Sequence, residues 1–193
     1  MKKTLLGRIS PFVLLLLLAL CVFDRSGITA LTLAAACVHE SGHFLAARLL
    51  HIPLRGLRLD FIGARMELCG ALPSYGSEWL LCAAGPFFSL LASAAAAPLW
   101  QIEAARIFSC ASLVLGLLNL LPIRGFDGGR MLEVALLRIG GTALAQRLTP
   151  VCSFCCLFLL WAISVYFLLR AGDGLSLFCF SLALFLRFFD ETQ

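Results

Sequence analysis

Long apolar runs are the feature that most constrains how this chain can fold. A membrane-spanning helix needs about 20 mostly apolar residues. Hydrophobic residues make up 61% of the 193 residues and charged residues 13%, whereas a soluble domain carries about 25% charged residues. The sequence therefore predicts an all-α polytopic protein of the lipid bilayer with about six transmembrane helices. The predicted spans are 9–23, 28–50, 79–100, 105–121, 150–169 and 175–189.

The remaining composition predicts one domain over residues 1–193, because no polar segment is long enough to form a separate soluble domain. The first run follows Lys2, Lys3 and Arg8, as the apolar part of a signal peptide would. A large residue, Leu18, stands where cleavage needs a small one, which favours an uncleaved span. The nine cysteines are scattered through apolar runs, where cysteine usually acts as a small hydrophobic residue.

Basic residues indicate how the chain is oriented. Twelve of the 15 Lys and Arg residues lie at the N-terminus, after the second and fourth spans, or at Arg187. Cytoplasmic loops carry such an excess, so we expect a multi-pass protein of a bacterial cell membrane with both termini in the cytoplasm. The net charge of +4 needs no nucleic-acid partner.

The motif HESGH, His39 to His43, lies within the second predicted span. Residues four apart share one face of a helix, so both imidazoles can bind one metal ion. Glu40 between them is placed to take a proton from water as a general base. His43 precedes Arg48 by five residues, about 7 to 8 Å along a helix. The site is therefore expected just inside the membrane, on the cytoplasmic side.

A catalytic zinc site needs a third protein ligand. His51 is about 12 Å further along the helix than His43 and so is too distant. Asp127, in the segment NLLPIRGFDGGRML, is the favoured ligand, and Asp60, Glu67 and Glu78 are alternatives. A carboxylate on an irregular turn at membrane depth is tolerated where it lines a cavity or binds a ligand. An aspartate next to glycines can equally cap a helix.

Two motifs together resemble the site-2 proteases, the intramembrane zinc metalloproteases of peptidase family M50. They are H-E-x-x-H at His39–His43 and N-x-x-P-x-x-x-x-D-G at Asn119, Pro122, Asp127 and Gly128. The chain is most similar to the stage IV sporulation proteases of endospore-forming bacteria. The segment 61–68, FIGARMEL, resembles their membrane-associated β-hairpin, with a plain interfacial loop as the alternative. Where many family members carry Asn at the third position after Gly-Pro, this chain has Ser89.

The resemblance implies Zn²⁺ bound by His39, His43 and Asp127, with Glu40 as the catalytic base. Asn119 and Pro122 are expected to contact substrate, although Asn119 is equally suited to cap the fourth span. No PDZ or nucleotide-sensing domain is expected, so such regulation is absent or supplied by another membrane protein.

The implied substrate is a membrane-associated protein cut near the cytosolic face, such as a sporulation sigma-factor precursor. A membrane-spanning anti-sigma factor is the alternative substrate. A metal transporter is the rival class of function, because membrane His and Glu residues also line ion pathways. Spans one, five and six carry no interior His, Asp or Glu, and no internal repeat is visible, which disfavours transport.

Overall fold

The computed structural model describes residues 19–20, 23–24, 26–52, 54–60, 63–68, 74–171 and 175–190. The first predicted span, 9–23, lies almost entirely outside these residues. The chain divides into two compact units, 1–119 and 120–193. The single-domain organisation expected from the sequence stays a prediction.

Helices dominate the described residues, and one pair of strands accompanies them. In chain order the elements are α1 Ile28–Leu49, β1 Leu54–Asp60, β2 Gly63–Leu68, α2 Tyr75–Ala96, α3 Glu103–Leu120, α4 Asp127–Ala171 and α5 Leu175–Asp190. A short 3-10 helix, Ala97–Leu99, extends α2. The segment 61–68, predicted as a hairpin or loop, contains only the second strand, β2, which pairs antiparallel with β1, and Asp60 is the partner of Gly63. Its association with the membrane stays a prediction.

Three helical segments of the described chain are long and apolar enough to cross a membrane: Tyr75–Leu99, Glu103–Leu120 and Asp127–Arg170. These segments support an integral membrane protein, while a total of six spans stays a prediction. The helix α1 coincides with predicted span 28–50 but is absent from this set, because the polar HESGH segment lowers its mean hydropathy. The last apolar helix, α5, is shorter.

The helix α4 is longer than the predicted span 150–169 because it joins two helices across a kink. Gly141 at the kink has φ 72° and ψ −169°, a conformation that glycine adopts without a steric penalty. The predicted span corresponds to the second of these two helices. The first begins at Asp127 and was not predicted as a span.

In the first unit, small residues let the helices approach closely. A methyl group added at Gly42 of α1 would lie 2.6 Å from the backbone oxygen of Ala84 in α2. Further along α2, the buried Ser93 hydroxyl lies 3.1 Å from the hydroxyl of Ser109 in α3. Small interfacial residues and interhelical hydroxyl contacts are typical of packed membrane helices. They hold α2 between α1 and α3 in a fixed register.

In the second unit, an apolar cluster packs the segment that follows α3 against α4 and α5. Its buried members are Ile123, Leu157, Leu184 and Phe188. The hydroxyls of Ser164 and Ser181, 3.0 Å apart, also link α4 to α5. The backbone leading into Asp127 is therefore part of a packed core.

Candidate metal centre

Two imidazoles of α1 form the centre of the candidate site. His39 and His43 lie one helical turn apart, and their Nε2 atoms are 3.3 Å from each other. The His39 side chain is buried, with 5% of its surface exposed. The rings meet nearly at right angles, with an interplanar angle of 80°. The spacing of the two histidines in the HESGH motif therefore brings their Nε2 atoms close enough to face one metal ion.

The other nitrogen of each ring is held by α2. His43 Nδ1 lies 2.8 Å from the backbone oxygen of Leu81, which can only accept a hydrogen bond. His43 Nδ1 must therefore carry the proton, which leaves the Nε2 lone pair of the neutral ring available to a metal. His39 Nδ1 lies 2.9 Å from the Ser89 hydroxyl, and donation to that oxygen gives His39 the same tautomer.

Gly85 of α2 provides the space for the His43 ring. A methyl group added there would lie 2.1 Å from His43 Nε2 and 2.5 Å from Cε1. Carbon and nitrogen atoms do not pack so closely, so only glycine fits beside the ring in this arrangement. The Gly85-Pro86 sequence of α2 thus contributes directly to the geometry of the histidine pair.

Asp127 is the third ligand predicted from the sequence. One ligand atom from each of His39, His43 and Asp127 lies within 4.8 Å of the other two. Among the residues that the structure describes, these three form the group suited to a metal ion. Glu78, an alternative third ligand in the sequence analysis, does not belong to this group. Asp60 and Glu67 were also considered from the sequence as third ligands, and their side chains lie outside the described set.

The donor set and its spacing fit zinc. Two nitrogens about 2.0–2.1 Å from one zinc ion at the tetrahedral angle lie about 3.3–3.4 Å apart, which matches the separation of the two Nε2 atoms. Two imidazoles and one carboxylate also form a ligand set found in catalytic zinc sites, which keep a fourth position open. The three side chains are therefore suited to a catalytic rather than a structural site.

Asn119 and Pro122, predicted to contact substrate, lie in the segment before Asp127. The Asn119 side-chain amide donates to the backbone oxygen of Leu115, 3.0 Å away, in the last turn of α3. The Pro122 backbone oxygen lies 3.1 Å from the Ser153 hydroxyl. Contact of either residue with substrate stays a prediction. Glu40 lies between the two histidines on α1, and its role as base also stays a prediction.

The groups that orient the histidines were not predicted from the sequence. The Leu81 carbonyl has no sequence signal, because any residue supplies a backbone oxygen. Ser89 had one available signal: it is the third residue after Gly85-Pro86, the position at which the motif resemblance leads one to expect another polar residue, Asn.

Three comparisons with known proteins found similarity to this chain. A model of peptidase family M50 matches residues 94–163, a range that includes Asn119 and Asp127 and excludes the histidine pair. A putative zinc metalloprotease, Rip3 of Mycobacterium tuberculosis, is 28% identical and covers 62% of this chain. The alignment spans 33% of the length of that relative.

The site-2 protease from Methanocaldococcus jannaschii has a similar structure, with a TM-score of 0.63 and 20% sequence identity. The match covers 97% of this chain and 94% of that one. The chain has a site-2 protease fold. The two sequence matches cover part of the chain and are in keeping with this fold. The His-His-Asp group is consistent with zinc binding.

Proposed function

We propose that this protein is an intramembrane zinc metalloprotease that hydrolyses a peptide bond of a membrane-associated protein. The observation that carries the proposal is the 3.3 Å separation of the His39 and His43 Nε2 atoms, with each Nδ1 occupied by a group of α2. Two lone pairs directed at one point, with a carboxylate nearby, are suited to one zinc ion.

In the proposed mechanism, His39, His43 and Asp127 hold the metal. The chemistry supplied by bound zinc is Lewis acidity, which polarises the scissile carbonyl and acidifies the attacking water. The Leu81 carbonyl keeps His43 in the tautomer that presents Nε2, and the Ser89 hydroxyl orients the His39 ring through its Nδ1. The protein thus fixes the ligand geometry before substrate arrives.

Glu40 is the proposed general base and acid. Its carboxylate accepts the proton of the attacking water and then transfers a proton to the departing amine nitrogen. One carboxylate serves both steps because the proton that it accepts is the one that the leaving group needs. Its position next to His39 on α1 supports this role.

The two-stranded sheet supports a way of presenting the substrate. A peptide bond within a helix is shielded by the hydrogen bonds of the helix, so the substrate must be extended at the cleavage point. We propose that it adds as a further strand to the sheet formed by β1 and β2, since strand addition at a sheet edge binds peptides through their backbone. Asn119 and Pro122 are the proposed further contacts with that backbone.

The distribution of basic residues supports a site near the cytosolic face with cytoplasmic termini. The motif resemblance favours a sporulation sigma-factor precursor as substrate, in a regulated proteolytic pathway. An anti-sigma factor is the alternative substrate. Regulatory membrane proteins are proposed partners of such a pathway.

The proposal is tested by proteolysis with the purified protein in detergent and a panel of membrane-tethered candidate substrates. The wild type should cleave one of them, lose activity to a zinc chelator and regain it with added zinc. E40Q should bind zinc as the wild type does and cleave at least 100-fold more slowly, because a general base contributes about 10²–10⁴-fold.

E103Q is the matched control, since Glu103 is an exposed carboxylate at the start of α3, and it should cleave normally. Undiminished cleavage by E40Q would contradict the assignment of the base. Zinc uptake by liposomes that contain the wild-type protein, without proteolysis of any substrate, would favour the transporter instead.

A further inference from the structure

A tight turn precedes Asp127 and determines where α4 begins. The Phe126 backbone N–H donates to the Ile123 oxygen at 3.0 Å, which closes a β-turn with Arg124 and Gly125 in its middle. Gly125 has φ 92°, the sign that a type II turn requires at its third position. Asp127 follows this turn directly as the first residue of α4.

The first turn of α4 rests against the backbone that leads into it. A methyl group added at Gly128 would lie 2.1 Å from the backbone oxygen of Leu120, and one at Gly129 would lie 2.1 Å from that of Ile123. Such close backbone contact leaves no space for the turn to move independently of the helix. A displacement of the turn must therefore move Asp127 with it.

The turn is tied to a distant part of α4 by one side chain. The Ser153 hydroxyl accepts a hydrogen bond from the Arg124 backbone N–H at 3.0 Å. It also lies within donating distance of two backbone oxygens, Pro122 at 3.1 Å and Thr149 at 2.8 Å. Ser153 is fully buried, with 0% of its surface exposed.

Ser153 lies beyond the kink at Gly141, in the second helix of α4. A single hydroxyl thus connects this helix to the backbone on both sides of Ile123. Ile123 is itself 2% exposed and packs against Leu157, one turn further along the same helix. The apolar contact sets only the distance between Ile123 and the helix. The hydrogen bonds of the Ser153 hydroxyl also fix the orientation of the peptide groups on either side of Ile123.

We propose that Ser153 is a positioning residue for the zinc ligand Asp127, acting through the turn at Ile123–Phe126. This inference rests on the proposed function, in which Asp127 binds the metal. Without the hydroxyl, the partly buried Arg124 N–H loses its acceptor, and the turn rearranges to find another. Residues that orient metal ligands typically change metal affinity about 10- to 100-fold when removed.

The experiment measures zinc affinity of the full chain in detergent by competition with a chromophoric chelator. S153A should bind zinc about 10- to 100-fold more weakly than the wild type. S164A is the matched control, since Ser164 is equally buried on α4 and bonds to the Trp161 oxygen and to Ser181. It should bind zinc normally.

A backbone variant tests the same hydrogen bond from its other end. R124P removes the N–H that donates to Ser153, at a turn position where proline is favoured. R124A removes the same side chain and keeps the N–H. R124P should therefore weaken zinc binding relative to R124A. The visible spectrum of the Co²⁺-loaded protein should also change in S153A and R124P, because a displaced carboxylate alters the coordination, which a loss of stability alone does not.

Zinc affinity of S153A equal to that of S164A overturns the inference. If S153A does not fold, equal affinities of R124P and R124A overturn it. D127N separates this result from failure of the proposed function. Weakened binding by D127N together with normal binding by S153A refutes the role of Ser153 alone, whereas normal binding by D127N refutes the ligand assignment on which both depend.

Discussion

Replacing Gly85 by alanine is the most direct test of how α2 holds the histidine pair. The new methyl carbon would lie 2.1 Å from His43 Nε2, 2.5 Å from Cε1 and 2.8 Å from Cδ2. Optimal contacts between such atoms are about 3.5 Å. The imidazole edge must therefore retreat by more than about 1 Å, or α1 and α2 must separate by a similar distance.

Either response damages the metal site. A retreating ring breaks the 2.8 Å hydrogen bond between His43 Nδ1 and the Leu81 oxygen, or moves Nε2 away from His39. Misplacing a catalytic group by about 1 Å can cost about 10²-fold in rate. We expect G85A to lose at least that much cleavage activity and to bind zinc more weakly.

The helix itself should tolerate the change. Alanine is favoured over glycine inside a helix by about 1 kcal/mol, so a loss of function cannot come from a lower helix propensity of α2. G76A is the matched control in the same helix, where the methyl group would lie 3.7 Å from the Ser74 hydroxyl, an ordinary contact. Zinc content after gel filtration and cleavage of a tethered substrate are the two measurements. A G85A protein that binds zinc and cleaves as G76A does would refute the proposed placement of His43.

Two further predictions concern the hydrogen bond between Ser89 and His39 and the pKa of Asp24. S89A should weaken zinc binding about 10-fold or more, because His39 Nδ1 loses the hydroxyl that orients the ring. Chelator competition measures this affinity, and an unchanged value would show that Ser89 does not orient the ring. Hydrogen bonds from the Ser26 side chain and then from Thr29 lower the pKa of Asp24 at the start of α1. A lowered folded-state pKa stabilises the fold above the unfolded pKa, about 3.9, and this contribution is lost as the pH falls through the folded-state pKa. D24A should therefore have a lower Tm than the wild type by a constant amount between pH 5 and pH 7, and a difference that vanishes within that range would contradict the assignment.

Much of the site could be predicted because its signals are local. The helical period places His39 and His43 on one face whatever the rest of the chain does. The composition excludes a soluble domain, and the runs predicted for α2 and α3 were close to their observed bounds. The helix before Gly141 was not predicted as a membrane span, because the composition from Arg130 to Arg147 is mixed and resembles that of a segment between spans.

The sequence by itself indicated that the chain lies in a lipid bilayer, and it identified the candidate metal ligands and the candidate base. Composition and short-range spacing are sufficient for this because they are properties of the chain alone. The tertiary structure decided which nitrogen of each imidazole faces the other ring and which faces α2. It did so through contacts that no spacing rule predicts: Ser89 is 50 residues from His39, and Leu81 is 38 residues from His43. The space left by Gly85 belongs to the same class of information. Such contacts depend on the register in which two helices pack, and that register is set by close approach of small residues rather than by any pattern along one helix.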